Sequence, residues 1–187
     1  MYRGIFLDRD GVIVENRDEY VRSWEDVQFI PGALAALAQL NGHGYKVVIV
    51  TNQAGVGRGV LTLAQAQALN QQIVQAIEAA GGKVDAAYLC PHSPDELCSC
   101  RKPKPGMLLQ AAEELAIDLG RSWMIGDAWT DLQAGVAAGA MAVGLVRTGR
   151  GAHQLTLPKP DLPIDYFVFN DLPEGLAHIR NSASDIP

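Results

Sequence analysis

Ile5-Phe6-Leu7-Asp8-Arg9-Asp10-Gly11 is the stretch around which the chain is organised. An apolar run stops abruptly at two carboxylates spaced i, i+2, followed by a glycine. The run reads as a buried strand. Its carboxylates then stand at the carboxyl end, where an open α/β sheet forms its ligand crevice. Two carboxylates so close together repel unless a cation lies between them, and Mg²⁺, which takes oxygen ligands, suits the place. Taken alone, the heptapeptide fits a polar turn closing a hydrophobic strand equally well, so the rest of the chain has to decide.

Outward from there the pattern repeats. Lys46-Val47-Val48-Ile49-Val50-Thr51 is a second continuous apolar strand, as parallel strands are. It ends in Thr51-Asn52-Gln53, where a hydroxyl followed by free backbone amides can grip a phosphate. Val84 to Leu89 reads as a third strand. Trp123-Met124-Ile125-Gly126 is a fourth that ends in Asp127, with Asp131 four residues on, and Met141 to Val146 is a fifth. Tyr166 to Phe169 reads as a short edge strand.

Helices are expected between the strands. One opens at Pro31 with the apolar stripe Ala33, Ala36, Leu37, Leu40. Another runs from Leu63 to Ala80 behind an N-cap at Thr62. Others cover Met107 to Ala116, Asp131 to Ala138 with Gly139 closing it, and a last one to about Ile179 capped by Asp171. Gly55, Gly57 and Gly59 match neither phosphate-loop fingerprint and read as a tight loop, with Arg58 solvated. Val12 to Phe29 is a polar loop leaving the first strand at the crevice, and Arg147 to Pro163 is loop-like. Alternating strands and helices give a parallel, Rossmann-like α/β sheet covered on both faces. The expected organisation is a single domain over 1–180 with a tail at 181–187.

Cys90-Pro91-His92-Ser93-Pro94-Asp95-Glu96-Leu97-Cys98-Ser99-Cys100 holds all three cysteines of the chain. Three thiolates and an imidazole form a complete tetrahedral Zn²⁺ set with no vacancy for water, which marks a structural site. A loop this short has little core of its own, and a metal would replace one. Arg101-Lys102-Pro103-Lys104-Pro105-Gly106, the densest basic run, follows directly. Arg101 offers a fork for a phosphate and Lys102 a point charge.

The chain has 187 residues and a formal net charge of −6 with no basic block beyond that run. The length suits one domain. The charge speaks against nucleic acid as a partner. No apolar stretch is long enough to span a bilayer, and the start has no export signal. An odd, clustered set of cysteines is a poor disulfide framework, so a reducing compartment, the cytoplasm, is expected. Nothing points to a partner chain, and a monomer is the expectation.

Asp8-Arg9-Asp10-Gly11-Val12, Thr51-Asn52, Lys102 and Gly126-Asp127-Ala128-Trp129-Thr130-Asp131 resemble, in order, the four motifs of the haloacid dehalogenase (HAD) superfamily. The Cys/His loop just before Arg101-Lys102 is similar to the branch that contains heptose-bisphosphate and histidinol phosphatases. Within it, Asn52-Gln53-Ala54-Gly55-Val56-Gly57-Arg58-Gly59, Pro105-Gly106-Met107 and Val146-Arg147-Thr148-Gly149 look like the heptose group. Heptose enzymes often carry a basic residue where this chain has Ala128, which bears on substrate contact rather than on the chemistry.

The resemblance implies a Mg²⁺-dependent phosphatase that removes the 7-phosphate of heptose 1,7-bisphosphate in the making of nucleotide-activated heptose. It implies Asp8 as nucleophile, Asp10 as general acid and base, and Thr51, Asn52 and Lys102 around the phosphoryl group. Mg²⁺ would sit on Asp8, the Asp10 carbonyl and Asp127, with Asp131 in support; Zn²⁺ would sit on Cys90, His92, Cys98 and Cys100. Asn16, Arg17, Asp18, Glu19, Gln53, Ala54 and Arg101 would meet the sugar. No stretch is long enough for a large cap domain. A histidinol-phosphate phosphatase and a non-enzymatic zinc-stapled binding domain are the alternatives at this point.

Overall fold

A computed structural model describes residues 1–182. The strands are β1 (Tyr2–Leu7), β2 (Tyr45–Asn52), β3 (Ala86–Cys90), β4 (Ile117–Gly126), β5 (Ala142–Val146) and β6 (Tyr166–Phe169). They form one sheet in the order β3-β2-β1-β4-β5-β6, with every neighbouring pair parallel. The order reverses at β1, so the carboxyl ends of β1 and β4 flank the crevice expected at such a switch point.

Both faces are covered. Side chains alternate along the strands: Ile5, Leu7, Val47 and Ile49 pack on one face, Phe6, Val48, Val50 and Met124 on the other. The first face is closed by α1 (Ala33–Ala38), α3 (Leu63–Ala79) and α7 (Leu172–Ser182), through Leu37, Ile73, Ile77, Leu176 and Ile179. The second is closed by α4 (Gly106–Glu114) and α5 (Trp129–Ala138), through Met107, Leu108 and Leu132. This two-faced burial is why the strands read as continuous apolar runs.

Local signals hold where they are local. Thr62 Oγ1 accepts the Gln65 N–H at 3.2 Å while Gln65 Oε1 accepts the Thr62 N–H at 2.8 Å, a complete capping box. Asp171 Oδ1 accepts the Glu174 N–H at 2.9 Å at the head of α7.

Other boundaries move. Helix α1 begins at Ala33 rather than Pro31, because Gly32 takes φ +79° as its N-cap. Strand β4 begins at Ile117: Tyr2 and Arg3 pair with Ile117 and Asp118, and a register shift then carries the pairing on to Trp123. The polar stretch 118–122 hides this in the sequence. Helix α4 stops at Glu114, and Ala116 turns at φ +53° to start that strand. The glycine loop contains a short helix, α2 (Ala54–Gly57). Its glycines answer crowding: a Cβ on Gly57 would lie 2.6 Å from the Ser93 nitrogen, and one on Gly55 would lie 2.6 Å from Leu61 Cδ2. A second short helix, α6 (Gly151–Gln154), lies in the stretch expected to be loop. Helix α7 runs on through Asn181 and Ser182, so those two residues belong to it; the rest of the expected tail, 183–187, lies outside the described residues.

Among the described residues no helix is long and apolar enough to cross a membrane. Between β1 and α1 the chain makes short turns, isolated bridges at Asp10–Val14 and Val14–Phe29, and a 3₁₀ turn at Trp24–Asp26. No cap domain stands over the sheet among the described residues.

Candidate active site

Three carboxylates converge at the carboxyl ends of β1 and β4. Asp8, Asp127 and Asp131 are all buried, and each offers an oxygen within 4.8 Å of the others. Burial, first of all, pushes the Asp8 carboxyl up to about 7; Lys102 opposes this, while Asp131, Asp127 and Asp10 add to it. Burial also raises Asp127. Asp8 Oδ1 is shut off from solvent and faces Lys102 Nζ at 2.9 Å, outside hydrogen-bond geometry. Buried, crowded carboxylates with oxygens this close together fit a hard divalent cation. Gly11 makes room for them: it turns at φ +84°, and a Cβ there would lie 2.1 Å from Asp127 Oδ2.

Lys102 is the counter-charge. Its Nζ donates to the Val50 carbonyl at 2.7 Å, and lies 2.7 Å from Asp131 Oδ1 and 2.9 Å from Asp8 Oδ1. Burial draws its pKa down, but the charges of Asp131 and Asp8 outweigh that and the net shift is upward. Asp131 serves two masters, since its Oδ2 accepts the Ala128 N–H at 3.0 Å and so caps α5. The Asn52 side chain clamps Lys102 from the main-chain side, donating to its carbonyl at 3.0 Å and accepting its N–H at 3.1 Å. Thr51 is buried beside them, and its hydroxyl oxygen accepts Gln53 Nε2 at 2.8 Å.

The Asp10 side chain stands apart from the three-carboxylate group. It is held by Arg9 and by Gln53 Nε2, the latter at 2.8 Å from Oδ2. Above these residues lies a polar cavity of about 470 Å³. Asn16, Arg17, Asp18, Gln53, Ala54 and Arg101 line it, as do Asp8, Asp10, Thr51, Lys102 and Asp131; Glu19 does not, and its carboxylate points to solvent near Arg22. Tyr20 also lines the cavity, and so does Arg58, which is exposed as expected but stands on the rim; the Tyr20 hydroxyl accepts Arg58 Nη1 at 2.6 Å and ties two rim segments together.

The four zinc-type donors come together as well. Cys90 Sγ lies 3.1 Å from Cys100 Sγ, 3.7 Å from Cys98 Sγ and 3.4 Å from His92 Nδ1. All four donor atoms lie within 4.8 Å of one another, and no disulfide forms. The cluster is compatible with a tetrahedral zinc centre. Its backbone supports the cavity wall: the Cys90 carbonyl accepts the Gln53 N–H and the Pro91 carbonyl the Gly57 N–H, both at 2.8 Å. The His92 carbonyl accepts Arg101 Nη1 at 3.1 Å.

Two further residues escaped the sequence reading. Arg9 is wholly buried against Asp10, and Arg150 covers Asp127. A charged residue between two aspartates and an arginine in the Arg147–Gly151 stretch carry no periodic signal.

The profile of haloacid dehalogenase-like hydrolases matches residues 1–135, and the related HAD-hydrolase-like profile matches residues 99–175. The chain belongs to the haloacid dehalogenase-like hydrolase family. A Pseudomonas putida protein named D-glycero-beta-D-manno-heptose-1,7-bisphosphate 7-phosphatase is 42% identical over 168 residues, covering 90% of this chain and 94% of the relative. The Escherichia coli protein of the same name is 42% identical over 154 residues, covering 78% of this chain and 80% of its own. The crystal structure of D,D-heptose 1,7-bisphosphate phosphatase from Bordetella bronchiseptica, complexed with magnesium and phosphate, superposes with a TM-score of 0.88 at 37% identity. It covers 96% of this chain and 99% of that one.

Proposed function

We propose that this family member is a Mg²⁺-dependent phosphatase that removes the 7-phosphate of D-glycero-beta-D-manno-heptose 1,7-bisphosphate through an aspartyl-phosphate. The observation that carries the reading is the buried Asp8 carboxylate, set beside Lys102 and Asp127 under a polar cavity of about 470 Å³. The names and the bound magnesium and phosphate of the relatives support the substrate and the cofactor.

Mg²⁺ held by Asp8, the Asp10 carbonyl and Asp127 would offset the repulsion between carboxylate and phosphate and draw charge from the transferring group. Asp8 attacks phosphorus as the bond from phosphorus to the sugar oxygen breaks. Asp10 gives its proton to that oxygen, then takes one from the water that attacks the aspartyl-phosphate and frees Asp8 and inorganic phosphate. Thr51, the Asn52 amide and Lys102 hold the phosphoryl oxygens. Asp131 keeps Lys102 in place. Asn16, Arg17, Asp18, Gln53, Ala54 and Arg101 meet the sugar and its far phosphate. Cys90, His92, Cys98 and Cys100 would hold Zn²⁺ as a closed structural site that supports the wall outside the chemistry. Thiols gathered on one site, rather than paired, support a reducing cytoplasmic setting.

Side-by-side turnover tests the reading. The purified enzyme with Mg²⁺ should prefer the heptose bisphosphate to histidinol phosphate by a wide margin in kcat/KM. Preference for histidinol phosphate would overturn the heptose assignment and leave the phosphatase chemistry standing.

A further inference from the structure

Arg9 heads the fully buried side chains by size. A guanidinium cannot shed its charge, so its burial is costly unless its donors are met. Nε donates to Asp10 Oδ1 at 3.0 Å and Nη2 to Asp10 Oδ2 at 2.9 Å. Behind them, Nη1 lies 3.5 Å from Oδ1 of Asn70, itself buried on α3. The fold alone gives little reason for this arrangement, because exchanging a buried ion pair for apolar side chains is often neutral or stabilising. The reason has to be sought in what Asp10 does.

Each carboxylate oxygen has two lone pairs. Oδ2 of Asp10 accepts from Arg9 Nη2 and from Gln53 Nε2. Oδ1 accepts from Arg9 Nε. One lone pair remains, on Oδ1, and the Asp10 side chain keeps 18% of its surface exposed on the cavity wall. A carboxylate free to rotate would present either oxygen in turn. One gripped at both oxygens from the buried side cannot.

We propose that Arg9 is a positioning residue for proton transfer: its fork fixes the Asp10 carboxylate so that Oδ1 alone gives up and takes back the proton. The proposal rests on the reading of Asp10 as acid and base. Asn70 backs the guanidinium and is part of the same device. Correct placement matters, since a positioned acid or base contributes roughly 10²–10⁴-fold, and small misplacements forfeit much of it.

The test compares Arg9→Met, Arg9→Lys, Asn70→Ala and Asp10→Asn on two substrates. The sugar phosphate leaves as an alkoxide and needs the proton; p-nitrophenyl phosphate leaves as a stable phenolate and does not. kcat/KM reports transfer to Asp8 in both cases. Arg9→Met should lose about 10²-fold on the sugar phosphate and only a few-fold on the aryl ester. Arg9→Lys, with a single ammonium in place of the fork, should fall between. Asn70→Ala, which puts a strong helix former on α3, should show the same split on a smaller scale. Absence of any split in the Arg9 variants and Asn70→Ala, with a clear split in Asp10→Asn, would overturn the proposal. If Arg9→Met does not fold, Arg9→Lys and Asn70→Ala decide in the same way. Absence of a split in Asp10→Asn itself would bring down the reading of Asp10, and this proposal with it.

Discussion

Arg150 covers both carboxylate oxygens of Asp127. Its backbone N–H donates to Oδ2 at 2.8 Å, Nε to the same atom at 3.3 Å, and Nη2 to Oδ1 at 3.2 Å. Asp127 is fully buried, whereas the Arg150 side chain is half exposed, so the guanidinium can withdraw into solvent. It and a cation on Asp127 would compete for the same oxygens. Arg150→Ala should therefore tighten Mg²⁺ binding to the substrate-free protein. A half-exposed ion pair contributes roughly 0.2–1 kcal/mol, which is about a 1.5- to 5-fold gain in affinity. Calorimetric titration reads it directly; equal or weaker affinity would show that the guanidinium does not compete.

Asp8→Asn should abolish turnover and yet raise the stability of the metal-free protein at pH 8. Burial lifts the Asp8 carboxyl from an ordinary 3.8 to about 7. Between those values the folded chain holds a proton that the unfolded chain releases, so this contribution to stability falls as pH rises through the window. Above it Asp8 is charged in a place that disfavours charge, and asparagine removes that cost. The gain in Tm under chelating conditions should be largest near pH 8 and shrink toward pH 5. A lower Tm for the variant at pH 8 would mean that Lys102 depends on Asp8 more than burial penalises it. Asp10→Asn should also abolish turnover of the sugar phosphate.

Elemental analysis should find one zinc per chain. Cys98→Ser should lower Tm and raise KM for the sugar bisphosphate more than it lowers kcat, because Arg101 is held by the His92 carbonyl. Zinc-free protein with three freely titratable thiols would rule the centre out.

Arg101 and Lys102 are neighbours with different expected readouts. Arg101 lines the cavity at half burial, while Lys102 is buried against Asp8. Arg101→Ala should cost the heptose bisphosphate roughly 1.5–3 kcal/mol of charge-assisted hydrogen bonding, or on the order of tenfold to a hundredfold in kcat/KM, and a small phosphate ester much less. Lys102→Ala should damage both alike. Equal losses on Arg101→Ala would mark it as a general phosphate ligand.

What the sequence revealed tracks the range of each interaction. Thr62 and Asp171 cap their helices across three residues, and both caps read directly, though their partners Gln65 and Glu174 did not. The buried strands read because both faces are covered, and the carboxylates at their ends read by contrast with the apolar runs. Arg9 meets Asn70 across 61 residues and Arg150 meets Asp127 across 23, distances at which a single charged letter carries no pattern. The start of β4 was hidden because its polar residues sit at a register shift, and helix α2 because its glycines answer a neighbouring loop. Glu19 was grouped with Asn16, Arg17 and Asp18 by adjacency alone, and the loop turns it outward at Tyr20, which adopts φ +70°.

Asp8, Thr51, Lys102, Asp127 and Asp131 on the floor of the site are buried, whereas Arg17, Asp18 and Arg58 on the rim are exposed. Mutational cost divides along the same line. A change on the floor strikes the hydrophobic core and the ion-pair network at once, so it carries a stability penalty along with any change in chemistry. A change on the rim meets mostly water. Substrate preference in this fold can therefore drift among descendants while the reaction is inherited intact, and a combinatorial library confined to those exposed positions should yield altered selectivity in variants that still express and melt like the parent.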